Sequence, residues 1–271
     1  MIPTTVVDDR GRLLALPREP ERIVSLAPSS TEVLLAFGLG ERLAGVDEHP
    51  ELPPGVVCAR VGGFKTTDVE AVLALRPDLV VASSLHLGRV VPALEATGVM
   101  VFALLPRSVG GLLRGALRLG TLVGRGREAA SLIGPLEARV QVVVAATLGA
   151  RVRPLVFVEL SPRLHTAGPG TFLDDLVMRA GGINLGAVAR VDWPTLSPGT
   201  VLRYDPDVLV LAAYPGSASP DAVRARPGWE RLAAVKAGRI VEIDSRLLKH
   251  PGLGLVDGLG LLAHFLHPDR F

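Results

Sequence analysis

Six histidines carry most of the chemical potential of this chain: His49, His86, His165, His250, His264 and His267. Neutral imidazole is the commonest protein ligand for a metal. The first four each follow a short apolar run of strand type, which places them where a sheet presents loops to a ligand. The last two belong to a helical pattern near the C-terminus and are expected at the surface. Two aromatic residues join the set. Phe64 follows Gly62-Gly63 in a loop, where a ring either stacks on a flat ligand or plugs the core. Trp193 stands before Pro194, just ahead of Ser197, and either lines a cleft or acts as a hydrophobic staple for the helix that follows. His49 and His165 are the first choices for touching a ligand or its metal, against the plainer reading of solvated loop histidines. Together His49, His86, His165 and His250 offer a second chemistry, a bare divalent ion, which needs ligands converging to about 2 Å from the metal.

Catalytic signatures are weak by comparison. Gly252-Leu-Gly-Leu-Val-Asp-Gly258 approaches a dinucleotide fingerprint but has the wrong final spacing and no strand–helix–strand unit behind it. There is no P-loop and no Gly-x-Ser-x-Gly nucleophile elbow. The single Cys58 excludes an internal disulfide and any multi-cysteine metal site, and is expected as a small buried hydrophobe. The formal net charge is +2, lysine occurs only at 65, 236 and 249, and the arginines are scattered without aromatic company. A nucleic-acid groove is therefore not expected.

The elements that must position these residues are legible as alternating short apolar runs and helical patterns. Strands are expected at Ile23–Leu26, Leu43–Val46, Leu79–Ala82 and Val99–Leu104, then at Leu155–Glu159, Val208–Leu211 and Ile240–Ile243. Continuous Val/Leu runs suit strands covered on both faces, as in parallel α/β sheets. Val6–Leu14 reads as a small hairpin turning at Asp9–Gly11. Ser29–Glu32 and Thr67–Glu70 fit capping boxes, and Ser197-Pro198 fits an N-cap followed by proline. Gly38, Gly98 and Gly181 fit helix ends. From about Gly126 to Ala150 the pattern is helical with no strand signal, and Pro135 is a candidate kink. The expectation is an α/β protein of two Rossmann-like lobes with parallel sheets: residues 1–124, a linker helix over 125–150, and 151–271. One helical connection predicts a ligand cleft between the lobes with modest opening and closing.

With 48% hydrophobic residues the chain is globular, and no stretch is expected to reach the apolar length that spans a bilayer. The first ten residues lack a basic region followed by an apolar core, so no signal peptide is expected in them. That leaves a chain in its mature form or a cytosolic protein.

Arg22–Val46 and Val61–Ala82 resemble the periplasmic binding proteins for vitamin B12, haem and iron–siderophores, the class with a long helical backbone between lobes. The resemblance continues through Thr166-Ala-Gly168, Ala180-Gly-Gly-Ile-Asn184, Trp193-Pro-Thr-Leu-Ser197, Asp205–Val210, Gly238–Asp244 and His250–Gly258, covering nearly the whole chain in family order. The likeness is greatest to the B12-binding branch. It implies a substrate-binding protein without catalysis or intrinsic cofactor, which captures a metal chelate such as cobalamin or another corrinoid. Delivery would be to the permease of an ABC importer, from a periplasmic or membrane-associated location. A monomer is expected. By position, the resemblance assigns His49, Phe64, Ser83, His165, Trp193 and His250 to the ligand, with His49 and His165 as axial metal ligands. It assigns Glu70 to docking on the importer. His49 stands where an aromatic is usual, Phe64 where the B12 branch has a stacking tryptophan, and Ser83-Ser84 where another aromatic belongs. A second docking carboxylate would lie two residues after Ser197, where this chain has Gly199. Haem, a ferric siderophore and a bare divalent metal are the alternative ligands, and a cytosolic corrinoid-handling protein is the remaining alternative.

Overall fold

The apolar runs at 79–82 and 208–212 become parallel strands whose side chains are buried throughout, as suits strands covered on both faces. The computed structural model describes residues 4–63 and 65–271. Two short strands come first, β1 (Thr4–Val7) and β2 (Leu13–Leu16), paired antiparallel. Gly11 adopts φ +78° in the connecting turn, a conformation that costs glycine nothing.

The chain then alternates: β3 (Ile23–Ser25), α1 (Pro28–Ala36), β4 (Leu43–Val46), β5 (Ala59–Arg60), α2 (Val69–Ala74), β6 (Leu79–Ala82), α3 (Val90–Glu95), β7 (Val101–Ala103), α4 (Val109–Leu122) and α5 (Gly126–Leu148). It resumes with β8 (Leu155–Glu159), α6 (Phe172–Arg179), β9 (Ile183–Asn184), α7 (Pro198–Tyr204), β10 (Val208–Ala213), α8 (Pro220–Arg224), α9 (Ala233–Lys236), β11 (Ile240–Asp244) and α10 (Leu255–Leu266). This is the α/β architecture expected, with the expected strands in place to within one or two residues at most ends. The two-residue strands β5 and β9 are additions, too short to leave an apolar run in the sequence.

The chain forms two compact units. The first comprises residues 1–106 and 110–135, the second 107–109 and 136–271, so a division falls at Pro135 inside α5. In the first unit an all-parallel sheet runs β5-β4-β3-β6-β7 around a core that includes Val24, Leu26, Val80 and Val101. In the second, a parallel sheet runs β11-β10-β8-β9 around Phe157, Leu209, Leu211 and Trp229. Trp229 is structural, with its ring buried and the Arg226 guanidinium stacked at 4.5 Å.

Each sheet has a point where successive connections leave in opposite directions, between β3 and β6 in the first and between β8 and β10 in the second. Ligands of open α/β sheets bind outside the carboxyl ends of strands at such points.

Four local expectations need correction. Neither capping box forms. α1 begins two residues earlier, on Pro28, with Ala27 as its N-cap. The hydroxyls of Ser30 and Thr31 instead turn back onto the Ala27 carbonyl and Ser25, where burial makes such bonds worth more than capping. At α2 the cap is Asp68, whose carboxylate accepts the Ala71 N–H, while Thr67 donates to the Gly63 carbonyl. Third, α5 continues through Pro135 as one 23-residue helix. By length and composition it is apolar enough to cross a membrane, contrary to the sequence expectation. It carries Glu137 and Arg139 near its middle, and Arg139 pairs with Asp257 of α10 at 2.6 Å. Fourth, His267 is buried rather than on the surface, its Nε2 3.3 Å from the Gly181 carbonyl oxygen. His264 is exposed as expected. Ser197 does cap α7, accepting the Thr200 N–H at 3.0 Å with Pro198 behind it. Gly38, Gly98 and Gly181 follow helices with positive φ.

Candidate ligand-binding loops

In the second unit, two loops pair like a short ribbon beyond the carboxyl end of β8. The Thr166 N–H donates to the Pro194 carbonyl at 2.9 Å, Gly168 to Asp192 at 2.7 Å, and Leu196 to Leu164 at 3.0 Å. The approach at Gly168 is so close that a Cβ there would overlap the Val191 carbonyl oxygen. Asn184 braces the ribbon from β9, donating to the Ala167 carbonyl and to Asp174, both at 2.9 Å. This scaffold ties Thr166-Ala-Gly168 to Asn184, although they lie far apart in sequence.

What the ribbon presents is aromatic. Trp193 is 42% exposed, its ring 5.5 Å from Phe172 at the start of α6 and 6.5 Å from His165. An indole braced on one side by a phenyl ring and open on the other is a stacking platform. Two predicted residues, His165 and Trp193, are thus brought together. Phe172 was missed, because in sequence it is only the first apolar residue after the Thr171 cap. Arg107 also escaped notice. It clamps the same loop through a two-pronged ion pair with Asp192 (2.6 and 3.1 Å), which holds the Asp192 carboxyl below its usual range. His250 is half-buried, next to Lys249, whose ammonium sits 4.0 Å over the Tyr214 ring just past β10. Burial lowers the Lys249 pKa.

In the first unit, His49 lies three residues past β4, half-exposed. Its backbone N–H donates to Oδ1 of Asp47 at 3.0 Å. Arg60 donates to the Asp47 carbonyl at 2.8 Å and to the Pro50 carbonyl at 3.0 Å, closing the loop from β5. Burial raises the Asp47 carboxyl pKa, and the contacts from His49 oppose it. Phe64 lies outside the described residues. Ser83, past β6, has its hydroxyl 3.0 Å from Nδ1 of His86, and the Ser83 N–H donates to the same nitrogen. Ser84 is exposed.

His86 is therefore no loop ligand. It is fully buried at the end of a single 3-10 turn, Ser84–His86, where its ring folds back on Ser83. Since Nδ1 accepts the Ser83 N–H, the hydrogen-bond pattern assigns the proton to Nε2, which is buried without a partner among the described residues. Burial lowers its pKa. Among the described residues no three His, Cys, Asp or Glu side chains are grouped to hold a bare ion. Cys58 is half-buried rather than a core residue, its thiol pushed up by desolvation. Glu70 stands exposed in the first turn of α2.

Cavities open at the opposite edge of each sheet. One of about 530 Å³ is lined by Arg151, Arg239, His267 and Arg270 in the second unit. Another of about 330 Å³ is lined by Pro20, Asp78 and Val99 in the first. Neither includes a residue picked out from the sequence for ligand contact.

Comparison with known proteins gives these loops a context. The chain is 27% identical to an uncharacterized ABC transporter substrate-binding lipoprotein of Bacillus subtilis, over all of this chain and 88% of that one. It is 29% identical to a cobalamin-binding protein of Halobacterium salinarum, over 98% of this chain and 74% of that one. Among solved structures it matches a periplasmic heme-binding protein of Pseudomonas aeruginosa at 28% identity and TM-score 0.76, covering 93% and 94% of the two chains. The family model for periplasmic binding proteins matches residues 23–247. With parallel sheets, switch-point loops and that match in agreement, the chain belongs to the periplasmic binding protein family, whose members are substrate-binding proteins of ABC-type import and not enzymes.

Proposed function

We propose that this protein captures a corrinoid, cobalamin or a close analogue, and passes it to the membrane permease of an ABC importer. The observation that carries the reading is the half-exposed Trp193 braced on Phe172 beside His165, at the carboxyl edge of its sheet. A large, flat metal chelate offers the matching surface: an apolar ring face to stack, and a metal whose axial position accepts an imidazole. The similarity to a cobalamin-binding protein over nearly the whole chain supports the choice of chelate. In this reading the ligand-contacting set is His49, Phe64 and Ser83 from the first unit with His165, Trp193 and His250 from the second, and His49 and His165 are the candidate axial ligands. Ser83 contributes through its backbone and the edge of its hydroxyl, which His86 already engages. The lobes are those of residues 1–124 and 151–271 with the helix between, and the protein acts as a monomer outside the cytoplasm.

Haem is the second reading. It is favoured by the role of imidazole as an axial ligand of haem iron, and by the likeness to a heme-binding structure. Titration of the purified protein with cyanocobalamin, diaquocobinamide and haemin, followed by visible absorbance and calorimetry, separates the two. Corrinoid binding at micromolar or tighter affinity is expected, with haemin weaker. Saturable binding of haemin alone transfers the assignment to haem, and binding of none of them defeats both readings.

Glu70 is proposed as the importer contact of the first unit. The expected outcome is that Glu70→Gln leaves chelate affinity unchanged and lowers uptake in reconstituted transport. Equal uptake by both forms removes Glu70 from docking.

A further inference from the structure

A buried carboxylate without a donor calls for a reason, and Asp47 has one such oxygen. Its side chain is 1% exposed. Oδ1 accepts the His49 backbone N–H at 3.0 Å, whereas Oδ2 makes no hydrogen bond among the described residues. The nearest ring nitrogen is Nδ1 of His49, 3.6 Å away. The backbone around the pair is fixed. The Asp47 N–H donates to the Ser25 carbonyl at 3.0 Å, and Arg60 holds the carbonyls of Asp47 and Pro50. Nδ1 of the half-exposed imidazole is the ring atom that faces Oδ2, and closing the 3.6 Å gap makes the hydrogen bond. The far nitrogen, Nε2, lies 4.0 Å from the carboxylate of Glu48, which is more than half exposed.

We infer that Asp47 is a positioning residue that sets the tautomer and direction of His49. With Nδ1–H directed at Oδ2, the Nε2 lone pair is presented outward, in the state that coordinates a metal. Carboxylates commonly hold metal-binding histidines in this way, and their loss costs 10–100-fold in affinity. Nothing in the sequence separates this role from that of any aspartate at a strand end. It depends on the burial of Oδ2 and its place beside the ring. The inference rests on His49 being an axial ligand, as proposed above.

Asp47→Asn is the discriminating variant. The asparagine carbonyl can still accept the His49 N–H, while its amide turns a donor toward Nδ1 and favours the opposite tautomer. Two measurements apply. Nitrogen-15 NMR of the ligand-free, histidine-labelled protein, assigned with His49→Ala, is expected to show His49 as the Nδ1–H tautomer in the parent and predominantly Nε2–H in the variant. The same tautomer in both overturns the inference. Titration with diaquocobinamide, whose axial waters exchange, is expected to show a 10–100-fold loss in Asp47→Asn approaching that of His49→Ala. With cyanide occupying both axial positions, the variant and parent are expected to bind alike. A loss in His49→Ala with none in Asp47→Asn overturns the inference and leaves the corrinoid reading intact. If the parent binds neither diaquocobinamide nor haemin, the functional reading fails, and the tautomer measurement still decides whether Asp47 orients the ring.

Discussion

At the scale of single residues, two histidines of similar sequence context have opposite fates. His49 and His86 each follow a strand, yet His86 is sealed in the core, with Nδ1 spent on Ser83. Burial holds its pKa below the ordinary value of 6.5. The native state thus resists protonating it, while the unfolded chain does not. Its contribution to stability is complete above about pH 6.5 and is lost as pH falls toward the lower native value. Thermal unfolding between pH 7.5 and 5 is expected to show a steeper fall for the parent than for His86→Asn, whose amide cannot take up a proton. Parallel curves would remove His86 as the source. Trp193 makes the other residue-scale prediction. Trp193→Ala is expected to weaken chelate binding about tenfold, equivalent to about 1.4 kcal/mol, with little change in melting temperature because the ring is already half in solvent. Unchanged affinity measured by calorimetry would assign the indole to packing alone.

Elements explain which parts of the site were readable beforehand. The strands and the Ser197 cap were visible because apolar runs and Ser-Pro report local physics. The two mistaken capping boxes show where local pattern stops. Ser29–Glu32 has the right letters, but Ser30 and Thr31 serve a buried hydroxyl cluster with Ser25, a tertiary demand that spacing cannot reveal. His165 was recognisable as a residue that follows a strand, and Trp193 as one that precedes the Ser197 cap. Their approach was not, since it depends on the ribbon between residues 164–168 and 192–196. Gly168→Ala tests that ribbon. The added methyl would overlap the Val191 carbonyl of the facing backbone, so a destabilisation of about 1–3 kcal/mol is expected in chemical denaturation, together with loss of the Trp193 environment by fluorescence. A neutral substitution would mean that the loops are not held at this approach. The bidentate pair of buried Glu159 with the partly exposed Arg226, at 2.6 and 2.7 Å, anchors the carboxyl end of β8 beneath the same loops. Glu159→Gln leaves the guanidinium without its counter-charge and is expected to cost about 1.5–3 kcal/mol, the range for a hydrogen bond to a charged group. A loss within about 0.5 kcal/mol would show that the pair carries little of the local stability.

For the whole molecule, the two parallel sheets, the long α5 helix and the family match over residues 23–247 agree on a transport protein that binds without transforming its ligand. The order of motifs along the chain conveyed this fold and family because each motif marks a strand end or helix start that the architecture requires. The ligand is less legible, since its identity rests on a few loop side chains such as His49 and Trp193 and not on the order of elements. The central claim is that the exposed imidazole and indole serve a corrinoid. The most direct measurement is the visible spectrum of diaquocobinamide titrated with the parent protein and with His49→Ala and His165→Ala. The account predicts a saturable one-to-one shift of the corrinoid band as imidazole replaces axial water, reduced or lost in at least one histidine variant. An unshifted spectrum at protein concentrations well above micromolar, or a shift identical in all three proteins, would contradict it.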